Sequence, residues 1–227
     1  MRPHREPRTP LPARPALRLA ARAPAEALAD FGAAIHQEPE NPVFWHNRGF
    51  CLRNMGRFEA AVGDYSRAIE LDPRNEAAFN NRGYAWRKLG RYEQAVADYT
   101  ASLALSPDNV KTYNNRGYSY AKTGLFDAAI ADYTRVVELD GSNAHAFHNR
   151  GISYDKKGDY EKAIADFTRV LELDSTNANA FFNRGSTHDS LGAYDAAIKD
   201  YTRALDLDRQ MSAGGAGAGA RGAGLHD

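Results

Sequence analysis

The 227-residue chain has a single cysteine, Cys51, so no internal disulfide can form and a reducing, intracellular setting is favoured. No apolar run approaches the roughly 18–20 residues that a membrane-spanning helix needs, and a cytoplasmic location is the expectation, with organelle targeting by the Arg-rich N-terminal arm left open. Proline is nearly missing from most of the chain: six of the ten lie in residues 1–24. Net charge is absent too, formally zero at pH 7, though unevenly spread. Residues 1–24 carry six Arg and one Glu, residues 209–227 two Arg and one Asp, and the body between them is net acidic by six. Phosphate binding calls for a basic stripe on the folded part, so nucleic acid is not an expected partner. With 43% apolar and 26% charged residues, the composition is that of a folded protein.

What is present is a period. Asn-Arg-Gly occurs at Asn47, Asn81, Asn115, Asn149 and Asn183, each 34 residues after the last. Five recurrences without insertion define a repeat array. Each repeat opens after an asparagine (Asn41, Asn75, Asn109, Asn143, Asn177), whose side chain can accept an orphan backbone N–H. The first helix runs to Gly56, Gly90, Gly124, Gly158 or Gly192, where glycine can take the left-handed conformation that closes a helix. The second begins near Glu59, Glu93, Asp127, Glu161 or Asp195, acids suited to a helix N-terminus. The expected units are 42–75, 76–109, 110–143, 144–177 and 178–208, preceded by a half repeat with only its second helix over 24–41. That missing first helix keeps open a fragment of a longer repeat protein.

Residues 1–23 read as a disordered basic arm, because the prolines would break an amphipathic helix before about Ala16. Residues 209–227, rich in Gly and Ala, read as a flexible tail. The slot holding Ala29, Gly63, Ala97, Ala131 and Ala165 becomes Lys199 in the last repeat. A lysine where a next repeat would dock suggests that the array stops there.

Phe79-Asn80-Asn81-Arg82-Gly83-Tyr84-Ala85-Trp86, followed by Ala95, Tyr99 and Pro107, resembles the tetratricopeptide pattern with aromatic exchanges. It is similar in particular to an Asn-Arg-Gly…Asp-Tyr-Thr-Arg subgroup of that family. The resemblance covers 42–208 fully and 24–41 as a half unit. It implies an all-α fold, a right-handed α-solenoid of stacked antiparallel helix pairs. It also implies that the first helices line a concave face on which an asparagine ladder grips ligand backbone, so that Asn47, Asn81, Asn115, Asn149 and Asn183 bind peptide. A primary amide offers donors and an acceptor to any peptide unit, which gives the implication a physical basis. One turn on, Phe50, Tyr84 and Tyr118 form side-chain pockets, and Arg53, Arg87, Lys88 and Lys122 make the N-terminal groove basic, favouring an acidic stretch in the ligand. Asp155 and Asp189 mark the opposite end.

One departure from the family pattern is an arginine before every crossing glycine, with an aspartate sixteen residues later. The expected ion pairs are Arg48 with Asp64, Arg82 with Asp98, Arg116 with Asp132, Arg150 with Asp166 and Arg184 with Asp200, or their neighbours in adjacent repeats. His145 and His148 lie at i, i+3 without an evident third ligand, and Cys51 shares its slot with Ala85, Ser119, Ser153 and Thr187. Neither a metal, a cofactor nor a catalytic constellation is expected. The leading expectation is a non-catalytic scaffold for a protein or peptide partner. A substrate-recognition arm of a larger enzyme and a self-associating structural module stand beside it, with oligomeric state open.

Overall fold

A computed structural model of the protein describes residues 24–219, with side chains described over 25–210. The basic arm expected at 1–23 and the end of the tail at 220–227 lie outside the described residues. The described residues form eleven α-helices and no strand. They are α1 Pro24–Gln37, α2 Pro42–Asn54, α3 Phe58–Leu71, α4 Glu76–Lys88, α5 Tyr92–Leu105, α6 Val110–Lys122, α7 Phe126–Leu139, α8 Ala144–Lys157, α9 Tyr160–Leu173, α10 Ala178–Ser190 and α11 Tyr194–Gly219. Two compact units divide the chain, residues 1–85 and 86–227.

The local rules that set this pattern repeat from helix to helix. Asn109 Oδ1 accepts from the Thr112 amide at 3.2 Å, Asn143 Oδ1 from Ala146 at 3.1 Å and Asn177 Oδ1 from Ala180 at 3.0 Å. At the other end, Gly56, Gly90, Gly124, Gly158 and Gly192 stand at φ +74 to +82°. The residue after each glycine donates its amide five residues back, as in Arg57 to Leu52 and Leu125 to Tyr120, both at 2.9 Å. This closure satisfies carbonyls a helix end leaves open. The second helices α3, α5, α7 and α9 have no side-chain N-cap and rely on an acid in the first turn.

Packing follows from small residues set against rings. A Cβ on Gly117 would lie 3.1 Å from the Tyr133 ring and 3.3 Å from Asp132 Cβ. On Gly151 it would lie 2.9 Å from Phe167 Cε1. Ala61, Ala129 and Ala163 are fully buried beside these crossings, as are the rings of Tyr65, Tyr133 and Phe167. Each such ring stabilises the fold by roughly 2–3 kcal/mol of apolar burial. In the first unit, α2 packs on α1 and on α3 around Leu52, Ala61 and Tyr65, with Leu28 of α1 against them. In the second unit, helices α5 to α11 pack in sequence, each on the next. There Val170 and Leu171 of α9 are covered by Ala180 and Phe181 of α10, so one repeat's second helix is buried by the next repeat's first.

Two expectations are corrected. Helix α11 continues past Asp208 to Gly219, where a flexible tail was expected to begin. Alanine at 213, 216 and 218 favours the helix, and the stretch contains no proline to stop it. Lys199, moreover, does not mark a docking face. Ala29, Gly63, Ala97, Ala131 and Ala165 are themselves exposed, so this slot faces outward whether or not another repeat follows.

Candidate functional site

Arginine and aspartate of the same repeat meet as bidentate forks. Arg48 Nε and Nη2 donate to the two Asp64 oxygens at 2.7 and 2.6 Å, and Arg116 donates to Asp132 at 2.9 and 2.7 Å. Arg150 with Asp166 and Arg184 with Asp200 repeat the geometry at 2.8 Å throughout. Arg82 belongs to the first unit and Asp98 to the second. The remaining nitrogen reaches back a repeat. Nη1 of Arg82, Arg116, Arg150 and Arg184 donates to the hydroxyl of Ser66, Thr100, Thr134 and Thr168, at 3.0 to 3.1 Å. Arg116, Arg150 and Arg184 therefore each sit between a hydroxyl sixteen residues before and a carboxylate sixteen after. Hydrogen bonding to Asp132 pushes the Arg116 guanidinium up, with burial opposing. Burial pushes the Asp132 carboxyl up, against the pull of Arg116. Each such pair is thus a packing device within and between repeats.

The five ladder asparagines are all half-buried, each at the same position of its own first helix. Their side chains are not equivalent. Asn81 accepts from Arg53 Nη1 at 2.7 Å and lies 3.1 Å from His46 Nε2. Asn183 lies 3.1 Å from His148 Nε2. The Asn47 oxygen is 3.4 Å from His46 Nδ1. A neutral imidazole with its proton on Nδ1 satisfies both of the His46 contacts, accepting from the Asn81 amide at Nε2. Burial holds His46 and His148 below the usual imidazole range. Asn115 and Asn149, by contrast, make no side-chain hydrogen bond among the described residues. Their amides are available.

The slot before each ladder asparagine was not singled out in the sequence. It reads His46, Asn80, Asn114, His148, Phe182, and its histidines hold the asparagine of the next repeat. Asn114 leaves Oδ1 buried without a donor in this slot.

Three of these cations, Arg53, Arg87 and Lys122, lie against aromatic rings. Arg53 Cζ is 4.5 Å from the Phe50 centroid and 5.3 Å from that of Tyr84. In the second unit, Arg87 Cζ and Lys122 Nζ lie 5.0 and 5.4 Å from the Tyr118 centroid. Such contacts hold a cation at the surface without neutralising it. Lys88 and Lys122 are exposed. Further along, Asp155 accepts from the buried Thr187 hydroxyl at 2.8 Å, so it is in part a structural acid. His145 and His148 assemble no third ligand, and no group of three His, Cys, Asp or Glu suited to a metal ion occurs among the described residues. Burial pushes the Cys51 thiol up, away from the reactive thiolate. No described helix is long and apolar enough to cross a membrane.

Helix pairs joined by glycine closures, packed in the second unit each on the next, define a tandem-repeat protein of the all-α class. Tetratricopeptide repeat profiles match residues 42–75, 110–143, 144–177 and 178–211, with further matches of the same kind over 83–124 and 65–97. The chain belongs to the tetratricopeptide repeat family. Among solved structures it is similar to MamA, at 22% identity and a TM-score of 0.70 over 72% of this chain and 96% of that one. It is likewise similar to residues 41 to the end of MamA from Desulfovibrio magneticus RS-1, at 20% identity and TM-score 0.72, covering 74% and 96%. YrrB, described as a tetratricopeptide protein with an unusual peptide-binding site, aligns at 24% identity and TM-score 0.71, covering 78% and 91%. These likenesses establish the fold. A search of the curated proteins finds no match.

Proposed function

We propose that the protein is a non-catalytic scaffold that binds an extended segment of a protein partner across its first-helix face, with the asparagine row reading the ligand main chain. The observation that carries this is the state of Asn115 and Asn149. Buried amides normally find a hydrogen-bond partner, and among the described residues none reaches these two half-buried side chains, so they can pair with a ligand that displaces water. An extended peptide offers the alternating N–H and C=O groups they can pair with. Asn81 and Asn183 contribute less, since each already makes hydrogen bonds inside its own unit. Phe50, Tyr84 and Tyr118 supply apolar walls, and Arg53, Arg87, Lys88 and Lys122 favour a ligand carrying an acidic stretch. The family fold and the peptide-binding site named for YrrB support the reading. The Asn-Arg-Gly and Asp-Tyr-Thr-Arg signature fits a subgroup built on the fork described above. The first-helix slots that present the ligand groups are proposed in units 42–75, 76–109, 110–143, 144–177 and 178–208.

Affinity capture with the wild-type chain and with Asn115→Ala/Asn149→Ala tests this. Partners lost by the variant, with an unchanged urea midpoint, would support it. An unchanged partner set would move binding to another surface.

A further inference from the structure

The four most exposed large apolar side chains among the described residues belong to the last helix pair. Tyr194 and Ile198 of α11 are 64% and 63% exposed, Phe182 of α10 57% and Leu205 of α11 56%. Residues 194, 198, 201 and 205 are spaced i, i+4, i+7 and i+11, one stripe along α11. A separate stripe, Ala197, Ala204 and Leu207, is buried. In the preceding repeat the matching stripe is covered: Tyr160 and Ile164 are half-buried, Phe167 and Leu171 are buried, and Leu171 packs under Ala180 and Phe181 of α10. Helix α11 thus carries the side chains of an internal interface on an open face.

Residues 209–219 do not cover that face. Earlier second helices end at Leu71, Leu105, Leu139 and Leu173, and a short turn brings back a first helix. Helix α11 instead runs on unbroken to Gly219. Nor is the face shaped for another repeat of this kind. Phe182 stands in the slot of His46, Asn80, Asn114 and His148, where the histidines hold the asparagine of the next repeat. A phenyl ring offers no such bond. Head-to-tail stacking of copies is also closed off at the other end. There α1 already covers α2, with Leu28 on the cluster of Leu52 and Tyr65, and α1 exposes no large apolar side chain among the described residues.

The face is, however, complementary to itself. Tyr194 and Ile198 project from the first part of α11. Beside its second part lies a groove of about 520 Å³ between α10 and α11, walled by Ala178, Phe182, Tyr201, Ala204 and Leu205. A twofold axis near Tyr201 sets the projecting end of each α11 against the groove of the other copy. The charges at its edge agree. Asp195 and Arg209, both exposed, each lie one residue past a position of the stripe or its continuation at Asp208, and so on the same flank. Antiparallel pairing places Asp195 of each copy opposite Arg209 of the other.

We infer that two copies of the chain associate through this α10–α11 face about a twofold axis, with the α11 helices antiparallel. Seating Tyr194 and Ile198 in the groove withdraws all four exposed side chains from water in one contact.

Sedimentation velocity of the full chain from about 1 to 100 µM tests this. The sedimentation coefficient should rise with concentration and level off at a dimer. Ile198→Asp puts a carboxylate from each copy into the apolar contact and should raise the dimer Kd about a hundredfold. Because Ile198 is exposed in the single chain, the urea midpoint of the variant, measured on dilute monomer, should match that of the wild type. Asp195→Arg and Arg209→Asp each set like charges together and should weaken the dimer roughly fivefold, and the two changes in one chain should restore it. A monomer at every concentration would overturn the inference, and a foreign protein captured by the wild type but not by Ile198→Asp would then give the face to a partner. Growth past the dimer would overturn the twofold axis. An Ile198→Asp dimer as tight as the wild type would overturn the face, and a double charge reversal no tighter than the singles would overturn the antiparallel pairing.

Discussion

Replacing Arg116 by Met removes two hydrogen bonds to Asp132 and one to Thr100 while keeping an apolar stem of similar reach. Asp132 is then stranded, with its side chain only 5% exposed. Breaking a buried pair in this way costs ~3–5 kcal/mol, because the remaining charge is uncompensated. Asp132→Leu leaves the arginine instead. That side chain is more exposed, at 17%, and can turn its head to water, so the loss should be smaller, about 2 kcal/mol. The double variant Arg116→Met/Asp132→Leu should cost less than the two singles together by about 2–3 kcal/mol. An exposed pair would give only ~0.2–1 kcal/mol. The assay is urea denaturation of all four proteins, followed by far-UV circular dichroism. A second axis is pH. With the fork gone, only burial acts on Asp132, and burial raises a carboxyl. A carboxyl whose folded pKa exceeds its unfolded value contributes stability that is present below the unfolded value, about 3.9, and is lost as pH rises through the folded one. The Arg116→Met deficit should therefore be largest at neutral pH and shrink as pH falls towards about 4. A coupling below about 0.5 kcal/mol, or a deficit independent of pH, would refute the fork as a buried pair.

Two further outcomes are expected. Gly151→Ala places a methyl 2.9 Å from Phe167 Cε1 and should cost ~1–3 kcal/mol by overpacking, partly recovered in Gly151→Ala/Phe167→Leu, with thermal melts as the readout. His46 and His148 are held neutral by burial, so their folded pKa values lie below the unfolded one. Their contribution to stability is present above the unfolded pKa, about 6.5, and is lost as pH falls below it, because the unfolded chain then binds more protons. His46→Asn/His148→Asn, which installs the residue type of Asn80 and Asn114, should flatten the fall in urea midpoint between pH 7 and pH 5.

The parts of the fold legible in the sequence are those written by local rules repeated at fixed spacing. Asparagine before a helix and glycine after it state their backbone conformations alone, so the helix pairs could be placed from Asn109 and Gly124 without knowing their neighbours. Arginine and aspartate sixteen residues apart likewise fall on facing helices of one pair. The third arm of the fork was not legible, because Thr100 belongs to the preceding repeat and its hydroxyl carries no sequence mark of its partner. Lys199 misled for a related reason. An exception to a small-residue slot looks like a changed interface only if that slot is an interface, and exposure of Ala97 and Ala131 shows that it is not. In the candidate site, the row of five asparagines was evident from the period. Its division into engaged and available amides was not, because it depends on His46 and His148, which occupy a slot that does not repeat.

In the proposed binding mode Asn115 and Asn149 hold a ligand main chain. Its most direct measurement is NMR titration of the asparagine side-chain amides with a peptide segment of a captured partner. The Asn115 and Asn149 amide signals should move together and saturate at one peptide per chain, with Asn183 moving less. Saturable shifts confined to α7 and α9, with both amides unmoved, would contradict it.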